Sequence, residues 1–124
     1  MKIKPKTLKD AIDFLKTNGN GIVISNKVKS TYKGYVSAFG GNIVQSGIAP
    51  ACVAFLGDEN KKFVVEAIYM ICKKAFGNGL YSHNTLSDRK EKNGDITSKS
   101  FRNHMAEAAV ALKLAMRTYE FEKD

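Results

Sequence analysis

Histidine, cysteine and clustered carboxylates are the residues from which this 124-residue chain would build a metal site or an activated nucleophile, and they are sparse. The histidines are His83 and His104, and the cysteines are Cys52 and Cys72. No pair among them has the short spacing of a structural or catalytic metal site, so surface or helix-cap roles are expected for the histidines. Both cysteines lie in apolar surroundings and read as small buried residues in a reducing compartment, with a disulfide as the alternative. "GNG" at 77–79 lacks the preceding strand and following helix of a phosphate cradle and reads as a helix end. Asp88, Glu91 and Asp95 sit in a polar, basic stretch with no apolar neighbours to raise a carboxyl pKa. The expectation is therefore a chain that is not an enzyme, with no metal, no cofactor and no small-molecule substrate.

The cations say more. Lys and Arg number 20 against 12 Asp and Glu, a formal net charge of +8. Such an excess favours an anionic partner, usually nucleic acid, although lysines also serve plain solubility. Only Arg89, Arg102 and Arg117 are arginines. Lysine is a point charge suited to phosphate, whereas base edges are read by arginine forks. Any nucleic-acid binding is therefore expected to show little sequence preference. Lys29 and Lys33 stand one helical turn apart, and Arg102, Lys113 and Arg117 project together beside an apolar stripe. These five are the candidate contacts to phosphate; the bland alternative is a solvated lysine face.

Apolar periodicity supplies the elements that would hold them. A first helix is expected over about Thr7 to Asn18, with Thr7 and Asp10 at capping-box spacing, closed by "NGNG". A second runs from near Ile22 to Gly47, with Ile24, Val28, Tyr32, Tyr35, Val36, Phe39 and Ile43 on one stripe. "GIVIS" alone would suit a strand, but no neighbouring segment offers it a partner. A short third helix follows from Ala49 or Pro50 to Phe55 or Leu56. After Gly57, "DEN" caps a fourth that extends to Phe76 and buries Val64, Val65, Ile68, Ile71, Cys72 and Ala75. The last, about Phe101 to Phe121, has the stripe Phe101, Met105, Ala108, Ala109, Leu112, Met116 and Tyr119. Between the last two lies a polar stretch, 77–100, expected to be a flexible loop over 82–98. The fold class is all-α: a compact bundle of about five helices in one domain, 1–124. No apolar run reaches the ~20 residues of a membrane span, and no secretion signal opens the chain, so a cytoplasmic location is expected.

One stretch breaks the helical norm. "SAFGGNIVQSGIAPACVAFLGDE", residues 37–59, places Gly40, Gly41, Gly47 and Pro50 inside an apolar pattern. Close approach of two helix backbones, followed by a turn that buries Ile43, Ile48, Val53 and Phe55, would account for it; a simple kink is the alternative. With Tyr35 and Val36 ahead of it, the stretch resembles the small helical subunit of type III-B CRISPR effector complexes, the Cmr small-subunit family. Tyr35, Ile43, Gly47, Ile48, Ala51, Ala54 and Phe55 occupy the positions of that family's signature. "EAAVALKLAMR", 107–117, resembles its C-terminal stretch, in the same order along the chain. Leu114 stands where the family commonly has tryptophan, Met116 replaces a second basic residue, and Gly40-Gly41 replaces a frequent proline.

The resemblance implies a non-catalytic subunit in antiviral defence. Copies of it would stack as a filament alongside backbone subunits that hold guide RNA. Its basic surface would line the channel for target RNA paired to the guide, while cleavage belongs to other subunits. The readings left beside this one are a small basic helical DNA-binding regulator and, further off, a metal-dependent nuclease.

Overall fold

Pro5 opens the first helix, α1 (Pro5–Lys16), with Lys4 extended ahead of it. Proline suits a first helical position because its missing N–H would find no partner there. The computed structural model describes residues 2–77 and 80–123. Thr7 and Asp10, expected as caps, are instead buried with Ala11 and Leu15 on the inner face. Thr7 Oγ1 donates to Glu107 Oε2 at 2.5 Å, and Lys6 Nζ meets Asp10 Oδ2 at 2.7 Å. A 3₁₀ turn, Asn18–Gly21, follows, with Gly19 at φ 58°. A Cβ on Gly19 would lie 2.6 Å from Leu15 Cδ2, so only glycine fits there.

Helix does not start at Ile22. Val23–Ile24 (β1) and Lys27–Lys29 (β2) form an antiparallel hairpin. Its two turn residues, Ser25 and Asn26, have φ of 53° and 62°. Positive φ at both central positions matches the right-handed twist of hairpin strands, and asparagine tolerates it well. The missing partner comes from the far end of the chain: Glu120–Glu122 (β3) pairs parallel with β2, Val28 opposite Phe121 and Lys29 opposite Glu122. Ile24, expected on a core stripe, is 59% exposed.

α2 (Ser30–Ser46) buries Val36, Phe39 and Ile43. Gly47, at φ 91°, ends α2 and also precedes α3 (Ile48–Leu56). Its N–H donates to Ile43 O while its own carbonyl accepts from Ala51 N, so one residue closes one helix and opens the next. α3 buries Ile48, Ala51, Cys52 and Phe55; Val53, expected in the core, is 49% exposed on the opposite side. The glycine pair does not bring helices together either. A Cβ at Gly40 or Gly41 would meet nothing within 4 Å.

Asp58 caps α4 (Glu59–Phe76) by accepting from Asn60 N and Lys61 N. Val64, Val65, Ile68, Ile71 and Cys72 are buried there as the stripe predicts, along with Ala67 and Tyr69. The 77–100 segment is not structureless: it contains α5 (Leu86–Glu91), with Leu86 and Arg89 buried. Asn78 and Gly79 of that loop lie outside the described residues. α6 (Lys99–Met116) is capped by Ser98 Oγ and packs against α1, α2 and α4, which makes it the central element. It stops at Met116, short of the expected Phe121. Among the described residues, six α-helices and a small three-stranded sheet make a mainly helical fold.

Candidate nucleic-acid interface

Packing of α2 on α6 decides where the candidate cations fall. Val36, Ser37, Gly40 and Gly41 share a shallow depression of about 150 Å³ with Ala109, Val110 and Lys113. Lys33, one turn earlier on α2, lies over the Phe121 ring at 5.1 Å. The start of α2 therefore sits beside the end of α6: Lys33 and Lys113 lie along this seam, and Arg117 follows Lys113 by one turn at the end of α6. Arg117 is the exposed residue that caps α6. Lys29, exposed at the end of β2, lies just outside the seam, with Nζ 5.9 Å from the Tyr32 ring centre. Arg102 is exposed but stands apart. Eleven residues at ~1.5 Å each put it about 16 Å along α6 from Lys113.

Sequence patterning did not reveal the rest of this edge. Lys27 and Lys123 add positive charge, and Glu120 and Glu122 on β3 partly offset it opposite Lys27 and Lys29. The signal was the alternation of Glu-Phe-Glu at 120–122, obscured by the helical stripe ahead of it. The ammonium groups of Lys29 and Lys33 lie over the Tyr32 and Phe121 rings, whose faces attract them. The arrangement can neutralise phosphates, and lysines supply most of its charge.

Elsewhere the titratable groups serve packing. Burial pushes both Cys52 and Cys72 up to about 12, which leaves them as thiols. Both are free. Among the described residues, no three His, Cys, Asp or Glu side chains gather as a metal set. Asp95 is held down to about 2 by hydrogen bonds from Ser98 and Thr97. Its carboxylate thus takes the anionic position just ahead of α6, where an external anion would otherwise be drawn.

His104, expected at the surface, is half-buried. Its ring stacks on Phe76 at 3.9 Å, and its Nδ1 is bonded to the Tyr81 hydroxyl. Burial, then nearby Lys4, lowers its pKa below the ordinary 6.5, and Glu107 acts the other way. Burial likewise raises that of Tyr81, so the hydroxyl keeps its proton and Nδ1 accepts it. The neutral ring is the native form. Because the unfolded chain takes up a proton at higher pH than the native state, stability falls as pH drops below about 6.5. Melting temperature should decline between about pH 7.5 and about pH 5.5, and His104→Gln should shrink that decline. An equal decline in the variant would assign the effect elsewhere.

Among the described residues no helix is long and apolar enough to cross a membrane. Comparison with known proteins adds no relative: no family model matches the chain, and no curated protein or solved structure matches it.

Proposed function

We propose that this chain is a non-catalytic, cytoplasmic small subunit of a type III-B CRISPR RNA-guided effector complex. Copies of it stack beside the backbone subunits, and its basic edge follows the phosphates of target RNA paired to guide RNA. The observation that carries the reading is the α2/α6 seam. Residues far apart in sequence, Lys33 and Lys113, fall along one edge, with Arg117 one turn beyond Lys113 and Lys29 next to Lys33 in the chain's fold. The resemblance of residues 35–59 and 107–117 to the Cmr small-subunit family points the same way, as does the lysine-dominated charge. Arg102, displaced along α6, serves a neighbouring phosphate or none.

A subunit that follows backbone rather than sequence binds weakly alone, in the ~10⁻⁴–10⁻⁶ M range of non-specific contacts. Stacked copies join such edges into one track and raise affinity through effective concentration. The test is Lys113→Ala/Arg117→Ala in the assembled complex, with helicity and assembly retained. Target RNA binding should weaken about equally for unrelated sequences, and the slope of affinity against salt should fall by about 2 for each copy that contacts the RNA. Unchanged target binding would remove RNA from this edge. Failed assembly would assign the edge to subunit contacts.

A further inference from the structure

A cavity of about 740 Å³ lies away from the seam, along α4. Its floor is apolar: Leu56, Phe63 and Met70, the last 41% exposed. Its rim is polar and comes from separate elements, with Asn20 from the turn after α1, Glu59 and Lys62 from α4, and Asn84 from the loop before α5. Glu66 also borders it, but its carboxylate is occupied. It accepts from Leu86 N, Ser87 N and Ser87 Oγ, and so fixes the loop that forms the far wall.

We propose that this cavity receives one unstacked nucleobase of a single-stranded RNA segment. The inference rests on the reading of the chain as an RNA-binding subunit and extends it from phosphate to base. Three observations favour a base over an aliphatic anchor from a protein. Aromatic and thioether side chains along one helix face, with amide and carboxylate groups also in the lining, offer a stacking surface and polar partners to a flat ring edged with donors and acceptors. An aliphatic side chain would strip water from Asn20, Asn84 and Glu59 and return no hydrogen bond. Cations also lie beside the cavity, within reach of a sugar-phosphate. Lys62 is on the rim, and neighbouring Lys61 is held over Tyr35 and Phe55 at 5.8 and 5.4 Å. Phe63 meets Tyr32 edge to face at 4.9 Å, and Tyr32 underlies Lys29. A continuous run of rings and lysines thus joins the cavity to the basic edge.

The full chain with ¹³C-labelled methionine methyls reports on this site directly, because Met70 lines it while Met105 and Met116 are buried in the core. Adenosine and cytidine 5′-monophosphates should move the Met70 methyl signal and leave those of Met105 and Met116 in place. A ten-nucleotide single-stranded RNA should bind more tightly than the same sequence paired with its complement. Met70→Glu, at an exposed position, should weaken the single strand about tenfold and leave the duplex unchanged. A Met70 signal that ignores nucleotides, or a variant that weakens strand and duplex alike, overturns the proposal. A Lys- and Leu-containing peptide that moves the signal where nucleotides do not would make the cavity a protein-docking groove, and that also overturns it. Lys113→Ala/Arg117→Ala should leave the mononucleotide response intact, so failure of the basic edge and failure of the cavity are told apart.

Discussion

Replacing Arg89 with alanine is expected to destabilise the fold by about 3 kcal/mol, from lost charge-assisted hydrogen bonds and lost packing together. Arg89 is only 6% exposed, and among the described residues its guanidinium meets no carboxylate within ion-pair distance. Its charge is met instead by carbonyl oxygens and ring faces. Nε donates to Asp95 O at 2.5 Å and Nη1 to Leu80 O at 3.5 Å, while the guanidinium carbon lies 5.0 and 4.7 Å from the Tyr81 and Phe101 ring centres. One side chain therefore ties both ends of the 80–95 segment to α6. Gly94 packs so closely that an added Cβ would stand 2.7 Å from Arg89 Cγ. Arg89→Lys keeps the charge but loses the planar fork, so its cost should fall between wild type and alanine. Urea unfolding measures the change, and hydrogen exchange locates it. Amides over 80–98 should exchange faster while those in the middle of α4 and α6 stay protected. A loss under about 0.5 kcal/mol would mean that the loop holds itself without its arginine.

The other large effect is expected at Phe39. It is completely buried on α2, and its ring meets that of Phe55 on α3 at 5.2 Å. The two helices are joined by Gly47 alone, so this contact sets the angle between them. Phe39→Ala should cost about 4 kcal/mol, the transfer free energy plus the cavity left behind. Val44, five residues on, is 77% exposed, and Val44→Ala should cost under about 0.5 kcal/mol. Urea midpoints of the pair check the α2 face directly. Similar losses would mean that α2 is rotated from the arrangement described here.

Helices with a long, strict stripe were legible because a 3.6-residue period survives wherever one face meets the core. α4 and α6 bury most of the residues their patterns predict, Ala75 and Tyr119 being only partly covered, and Asp58 caps α4 as expected. The hairpin was not legible for a physical reason. A two- or three-residue strand carries almost no alternation, and its decisive partner, β3, lies at the opposite end of the chain. α5 was hidden because its stabilisers are distant in sequence: a carboxylate from α4 at its N-terminus and rings from Tyr81 and Phe101 around Arg89. Of the candidate cations, Lys33 and Lys113 share one seam because paired helices bring them there, and Arg117 follows one turn beyond Lys113. Arg102 does not join them, since a common helical face says nothing about distance along the axis. The α4 cavity left no motif, because its walls come from four separate segments.

The Thr7–Glu107 hydrogen bond spans 100 residues, and the pairing of β2 with β3 spans nearly as many. Contacts of such long range delay folding, because loop-closure entropy must be overcome before they can form. At a synthesis rate of about 5–20 residues per second, α1 leaves the ribosome several seconds before the helix that covers it exists. Its apolar face, Ala11 and Leu15, can meet α4 but is not fully covered until α6 has emerged, and the sheet cannot close until Phe121 has followed. The fold is therefore complete only after Phe121 has been synthesised. During that interval its earliest helix is the surface on which a chaperone, or a wrong partner, would act.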